Sequence, residues 1–79
     1  MKIEVRLFSF FCKFLGRDEN RYFFTREIGE SSTCADLLNI LHIPPNIPRI
    51  IIVNGIVKDE KYFLQEGDEV VILPPIEGG

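Results

Sequence analysis

Charged and apolar residues alternate at the start of the chain, with Ile3, Val5 and Leu7 set against Lys2, Glu4 and Arg6. That two-residue period predicts a half-buried strand, with Phe8 falling on its polar, outward side. Between Phe10 and Leu15 the apolar residues Phe11, Phe14 and Leu15 recur at helical spacing until Gly16 ends the pattern, which predicts one or two turns packed on the core. Arg21 to Ile28 reads as a second strand through Tyr22, Phe23, Phe24 and Thr25, and Gly29 to Ser32 as a turn. The main helix is expected to begin near Thr33. Asp36, three residues on, completes a capping-box pattern, and Leu37, Leu38, Ile40 and Leu41 supply the buried face. Pro44 and Pro45 forbid its extension, and the segment from Ile43 to Arg49, with three prolines, is a stiff loop. It is not a domain linker, because too little chain remains on either side to fold alone. Ile50 to Val53 then reads as a buried strand, Asn54-Gly55 as a two-residue hairpin turn and Ile56-Val57 as the start of the return strand. Tyr62, Phe63 and Leu64 anchor a short turn, Gly67 supplies a positive φ, and Glu69 to Leu73 forms the last strand.

Two strands, a helix and then further strands around that single helix is the order of the β-grasp fold. The expectation is therefore an α+β protein, a mixed sheet packed on one main helix, with a domain over residues 1–73 and a flexible Gly-Gly tail over 74–79. A chain of 79 residues makes one small domain, burying about 60% of the surface its unfolded form exposes and leaving no room for an enclosed active site. Hydrophobic content of 46% with seven Phe is ample for a core, while 27% charged residues and a net charge of −3 argue for a soluble protein rather than a disordered one.

Charge placement narrows the partners. The nine basic residues are scattered and none follows Lys61, whereas Glu66, Asp68, Glu69, Glu77 and the terminal carboxylate all fall in the final segment. Nucleic acid is not an expected partner, and that end of the chain should seek a basic surface. Apolar runs such as Ile50 to Val53 fall far short of the ~20 residues needed to cross a bilayer, and the N-terminus lacks a signal-peptide hydrophobic region. A cytoplasmic location without membrane partners is expected.

Little in the body of the chain suggests catalysis. Cys12 and Cys34 could in principle pair, but without secretion signals they read as free thiols in a reducing compartment. Cys34, in the first helical turn behind Thr33, is where a helix dipole would lower a thiol pKa, although a small buried filler is the expected role for both cysteines. Neither a Cys-x-x-Cys pair nor a His-rich cluster is present, so no metal is expected. His42, the sole histidine, is placed at the helix C-terminus, where dipole complementarity and exposure account for it, and no nucleophile pairs with it recognisably. Asp59-Glu60 and Asp68-Glu69 read as ordinary turn charges, since adjacent residues point apart. No phosphate-binding glycine loop is present and no catalytic residue is expected.

The C-terminus carries the chemistry. The chain ends on Pro74-Pro75-Ile76-Glu77-Gly78-Gly79, and two residues without a Cβ can thread a channel too narrow for side chains. A terminal carboxylate is ionised and a poor electrophile, so acyl chemistry on Gly79 needs prior activation, by adenylation in a nucleotide-using partner. The chain would then be substrate rather than catalyst. From Leu64 the sequence Leu-Gln-Glu-Gly-Asp-Glu-Val-Val-Ile-Leu-Pro-Pro-Ile-Glu-Gly-Gly resembles the MoaD/ThiS family of ubiquitin-like sulfur carriers. Its signature is a Leu-x-x-Gly-Asp-x-Val turn and strand leading to Pro-Pro-x-x-Gly-Gly. The Pro-Pro form is more similar to the small subunit of molybdopterin synthase, whereas Asn54-Gly55 leans towards the thiamine branch. An Arg-Glu pair usual in the family's short helical piece is replaced here by Cys12 and Lys13.

The resemblance implies that an adenylating enzyme uses ATP to activate Gly79. A sulfur donor then converts the adenylate to a thiocarboxylate, which delivers sulfur in a partner's pocket, with no cofactor bound tightly by this chain. The expected partners are that enzyme and the large subunit of molybdopterin synthase or another sulfur-accepting synthase, so the chain would be the non-catalytic small subunit of a sulfurtransferase complex. Pro74, Pro75, Ile76, Glu77 and Gly78 would form the inserted tail. If Leu7, Val70 and Ile72 face the core, then Phe8, Val71 and Leu73 face out on neighbouring first and last strands, and Val57 extends the patch from the hairpin. In the family the corresponding face packs on the partner proteins. Molybdopterin or tungstopterin synthesis is the first expectation and thiamine thiazole the second. A ubiquitin-like protein modifier and a plain β-grasp interaction module stay open.

Overall fold

The computed structural model describes residues 1–8, 11–12 and 21–75. Five strands and one helix follow in the order β1 (Lys2–Phe8), β2 (Arg21–Glu27), α1 (Cys34–Ile40), β3 (Ile50–Val53), β4 (Ile56–Lys58) and β5 (Glu69–Leu73). The sheet order is β2-β1-β5-β3-β4. β1 and β5 run parallel and the other pairs antiparallel, so the sheet is mixed and the first and last strands are neighbours at its centre. This is the expected β-grasp topology. Ile3, Val5 and Leu7 of β1, Ile51 and Val53 of β3, and Val70 and Ile72 of β5 point to one side. There they form a single core with Leu37, Leu38 and Leu41, and Phe11, Cys12, Cys34, Ile43 and Leu64 close it. Of the short helical piece, Phe11 and Cys12 form a buried 3-10 turn; Lys13, Phe14, Leu15 and Gly16 lie outside the described residues.

The helix begins as its sequence specifies. Thr33 Oγ1 accepts from the Asp36 N–H at 3.2 Å, and Asp36 Oδ2 accepts from the Thr33 N–H at 2.9 Å. The next free donors are satisfied tertiarily, with the N–H groups of Cys34 and Ala35 donating to the carbonyls of Tyr62 and Glu60 at 3.0 Å each. The helix stops before the prolines are reached. His42 adopts φ 60, its N–H donates to Asn39 O at 3.0 Å, and the Ile43 N–H donates to Leu38 O at 2.9 Å, a Schellman closure that a histidine rather than a glycine makes. The exposed His42 is thus explained by backbone reversal rather than by dipole complementarity. Arg49 fixes the proline loop by donating to the carbonyls of Pro44 at 2.9 Å and Ile47 at 3.2 Å and by pairing with Glu60.

Three other expectations need correction. Phe63 is 61% exposed, so Leu64 and, in part, Tyr62 anchor the turn. Ile50 and Ile52 are only half-buried, because period-two alternation sends them to the face away from the helix. Asp68 is no ordinary turn charge: it is 7% exposed and the only buried charged residue among those described. Its Oδ1 accepts from Asn54 Nδ2 at 2.9 Å and its Oδ2 from the Gln65 N–H at 2.8 Å. Asn54 Oδ1 accepts in turn from the Glu69 N–H at 2.9 Å. Asn54 (φ 51) and Gly55 (φ 85) are both left-handed, the geometry of a two-residue hairpin turn with matching twist.

Cys34 is the small buried filler expected of it, and burial overrides the lowering that a helix N-terminus would give its thiol. Both cysteines are free and buried, and the Cys34 thiol is pushed up from 9.0 to about 11 by burial, with smaller contributions from the charges of Asp59 and Asp68. Desolvation of the thiolate outweighs any helix-dipole effect in so short a helix.

Two outcomes follow from this packing. Asp68→Ala strands the Asn54 amide and the Gln65 N–H, and should lower unfolding free energy by about 2–3 kcal/mol in urea titration, against less than about 1 kcal/mol for Glu66→Ala at the exposed neighbour. The Cys34 pKa is raised on folding, so its contribution to stability is complete below about 9 and is lost as pH rises through about 11. Denaturation midpoints measured across that alkaline window should fall more steeply for the parent than for Cys34→Ala, and Ellman's reagent at neutral pH should detect neither thiol until the chain unfolds.

Candidate functional site

The side of the sheet away from the helix is the candidate site. Strand register sets its composition: Arg6 stands between Phe23 and Val71, Val71 is partnered by Ile52, and Ile52 by Val57. One row therefore crosses all five strands as Phe23, Arg6, Val71, Ile52 and Val57. The next row, at the C-terminal end of β1 and β5, carries Phe8, Leu73 and Ile50, with Leu73 opposite Ile50. On the other side of the first row lie Thr25, Glu4 and Glu69. The face is polarised, acidic where β5 begins and apolar where it ends.

Its exposure is substantial. Phe23 is 50% and Val57 68% exposed, while Phe8, Ile50, Ile52, Val71 and Leu73 are half-buried. Phe8 and Phe23 meet with ring centroids 6.1 Å apart and tilted by 59°. Arg6 lies over the Phe23 ring at 4.7 Å and reaches Glu69 Oε2 at 3.2 Å, so its guanidinium joins the aromatic and acidic parts of the face. All seven apolar side chains belong to strands, which hold them in a fixed array at no further ordering cost.

Phe8, Val57, Val71 and Leu73 are the residues that the sequence singles out, and the structure brings them together on this face. Phe23, Ile50 and Ile52 complete it and are not reached by sequence reasoning. The hairpin register was the signal available for Ile52: a two-residue turn at Asn54-Gly55 places Ile52 opposite Val57 and hence on the same side. Pro74 and Pro75 continue from Leu73, with Pro74 half-buried and Pro75 exposed; Ile76, Glu77, Gly78 and Gly79 lie outside the described residues. Among the described residues, no group of three His, Cys, Asp or Glu side chains is placed to hold a metal ion, and no helix is long and apolar enough to cross a membrane.

Comparison with known proteins gives the architecture a lineage. The putative molybdopterin converting factor, subunit 1, of Pyrococcus furiosus superposes with a TM-score of 0.77 at 22% identity, covering 96% of this chain and 99% of that one. A chain of the protein–protein complex of subunits 1 and 2 of the molybdopterin-converting factor from Helicobacter pylori gives 0.59 at 25% identity, with both chains covered in full. The small archaeal modifier protein 1 of Haloferax volcanii gives 0.70 at 18% identity, covering 95% and 98% of the two chains. No curated protein gives a significant sequence match. The ThiS family model matches residues 12–79, which take in β2, the helix, β3, β4, β5 and the whole terminal segment, and the chain therefore belongs to the ThiS family.

Proposed function

We propose that this protein is a sulfur carrier for molybdopterin or tungstopterin synthesis, with the Gly79 carboxylate as the site of activation. The observation that carries this reading is the position of β5. The strand that runs into the tail is central in the sheet, between β1 and β3, and its outward residues Val71 and Leu73 lie in the middle of the apolar face. A partner that covers this face receives the tail at a defined point. Six residues follow Leu73, a reach of roughly 20 Å when extended. Pro74 and Pro75 stiffen its root and reduce the entropy lost on insertion.

In this reading the carboxylate attacks the α-phosphorus of ATP in an adenylating enzyme and pyrophosphate leaves. Sulfur at the sulfide level then attacks the acyl carbon and AMP leaves, giving a thiocarboxylate on Gly79. A synthase large subunit takes up the loaded tail and transfers the sulfur to its substrate. The Helicobacter pylori likeness, to a complex of subunits 1 and 2, supports a large-subunit partner. Thiamine thiazole synthesis is the second reading, favoured by Asn54-Gly55. The chain itself supplies the anchored root, the docking face and a tail without side chains at its end.

Activation is tested directly. Gly79→Val and deletion of Gly79 should abolish ATP–pyrophosphate exchange by the cognate adenylating enzyme while circular dichroism melting stays at the parental temperature; exchange at the parental rate would sink the carrier reading. Intact-mass analysis of protein from its native cell should show the replacement of one oxygen by sulfur, and an isopeptide adduct would favour a protein modifier instead. Docking is tested separately. Phe8→Asp with Leu73→Asp places two charges in a surface that becomes desolvated on binding, and affinity for the adenylating enzyme should fall at least about a hundredfold, measured by calorimetric titration. The melting temperature should change little, since both side chains point away from the core; parental affinity would mean that recognition lies elsewhere.

A further inference from the structure

The two edges of the sheet are built differently. β4 has three residues and ends on Lys58, a short and charged edge of the kind that discourages pairing. β2 has seven residues, Arg-Tyr-Phe-Phe-Thr-Arg-Glu, without proline, glycine or lysine. It pairs with β1 at all seven positions from Lys2↔Glu27 to Phe8↔Arg21 with no bulge. Among the described residues no strand covers its other side. A long, regular, aromatic edge of this kind is a template for a further strand.

The edge also carries its own complement. Alternate residues of a strand point their N–H and C=O groups towards and away from the edge, so a two-fold antiparallel pairing of β2 with itself must oppose residues of the same parity. Centred on Phe24, such a pairing uses all seven residues and sets Arg21 opposite Glu27 twice, Phe23 opposite Thr25 twice, and Tyr22 opposite Arg26 twice. Centred one residue either way, it uses only residues 21–25 or 23–27 and loses both Arg–Glu pairs. Among the described residues Arg21 and Arg26 make no ion pair, Arg21 and Glu27 are both exposed, and Glu27 meets only the Met1 ammonium, at 3.8 Å.

We propose that a second copy of this chain is the partner of the β2 edge, joined antiparallel about Phe24 to form a continuous ten-stranded sheet with reciprocal Arg21–Glu27 pairs. The contact is smaller than a standard interface, so the dimer is weak and reversible, with dissociation in the range of about 10 μM to 1 mM. Association through β2 leaves β3, β4 and the root of the tail uncovered; it is compatible with the carrier reading and does not depend on it.

Sedimentation velocity of the full chain across that concentration range, at low ionic strength, tests the pairing. The parent should show a monomer–dimer equilibrium; a parent that stays monomeric at about 1 mM overturns the proposal. Arg21→Glu places like charges opposite Glu27 at both ends, and Glu27→Arg does the same opposite Arg21, so each variant alone should dimerise at least about tenfold more weakly. An equimolar mixture of the two restores both opposite-charge pairs and should dimerise like the parent, as should the doubly swapped chain. Single variants that dimerise at parental strength, or a mixture that fails to recover, would overturn it. Arg21→Glu touches no ion pair among the described residues and should melt like the parent; Glu27→Arg also removes the 3.8 Å contact with the Met1 ammonium, so its melting curve and that of the doubly swapped chain are compared to tie any loss to the edge. Thr25→Lys, which guards the edge without altering the Arg–Glu pairs, is an independent disruption and should also give a monomer.

Discussion

The carboxylate of Asp68 is the interaction on which the rest of the arrangement depends. Its two oxygens bind the Asn54 amide and the Gln65 N–H, and Asn54 in turn binds both the N–H and the C=O of Glu69. Main-chain bonds from Glu4 N–H to Asp68 O and from Gly67 N–H to Lys2 O, at 2.9 and 2.8 Å, bring β1 into the same junction. Asp68, by its carboxylate and its main chain together, thus ties the β3–β4 hairpin, the turn before β5 and the start of β1 at a single point. Removed from water, such a group is stable only while its hydrogen bonds are complete, which makes the junction all-or-none. The same negative charge reaches Cys34 and contributes to holding that thiol protonated.

Fixing the start of β5 fixes what β5 presents. A one-residue slip would turn Val70 and Ile72 outward and Val71 and Leu73 into the core. The positive φ of Gly67 and the Asn54–Glu69 bonds prevent it by setting the register against β1 and β3 together. Three of the sequence features nearest the tail, the glycine of the turn, the aspartate after it and the Asn-Gly hairpin, therefore act as one device. It fixes the point at which Pro74 and Pro75 leave the middle of the sheet.

The sequence made much of this legible, and the limits are physical. Alternation in β1 is clean because its outer positions are charged, so the facing of Leu7 and Phe8 could be read. The capping box at Thr33 and Asp36 was equally plain, since both partners lie within one turn. β3 reads Ile-Ile-Ile-Val, and with both faces apolar no alternation reveals that Ile50 and Ile52 point outward. Phe23 was hidden in the same way between Tyr22 and Phe24, which pack against the core side. Asp68 was misread because its partner Asn54 lies 14 residues away and only the folded sheet brings them together. Cys34 is legible as a buried filler, but the sign of its pKa shift is not, because local dipole reasoning leaves out burial, and burial decides the pKa of an enclosed thiol.

A strand buried on one face and apolar on the other separates two requirements that small domains otherwise place in conflict. The core side of β5 and β3 holds the fold with Val70, Ile72, Ile51 and Val53, all buried. The outer side keeps Val71, Leu73, Ile50 and Ile52 half-buried on the opposite face, outside the core that holds the fold. Such a face invites indiscriminate association unless something restrains it. Here Arg6 covers part of Phe23, and the acidic row of Glu4 and Glu69 borders the apolar rows, so a wrong partner must desolvate charge while a basic one is drawn in. In the proposed docking the apolar rows would supply the area for binding and the charged row would select the partner, and both are positioned by the register that Asp68 sets.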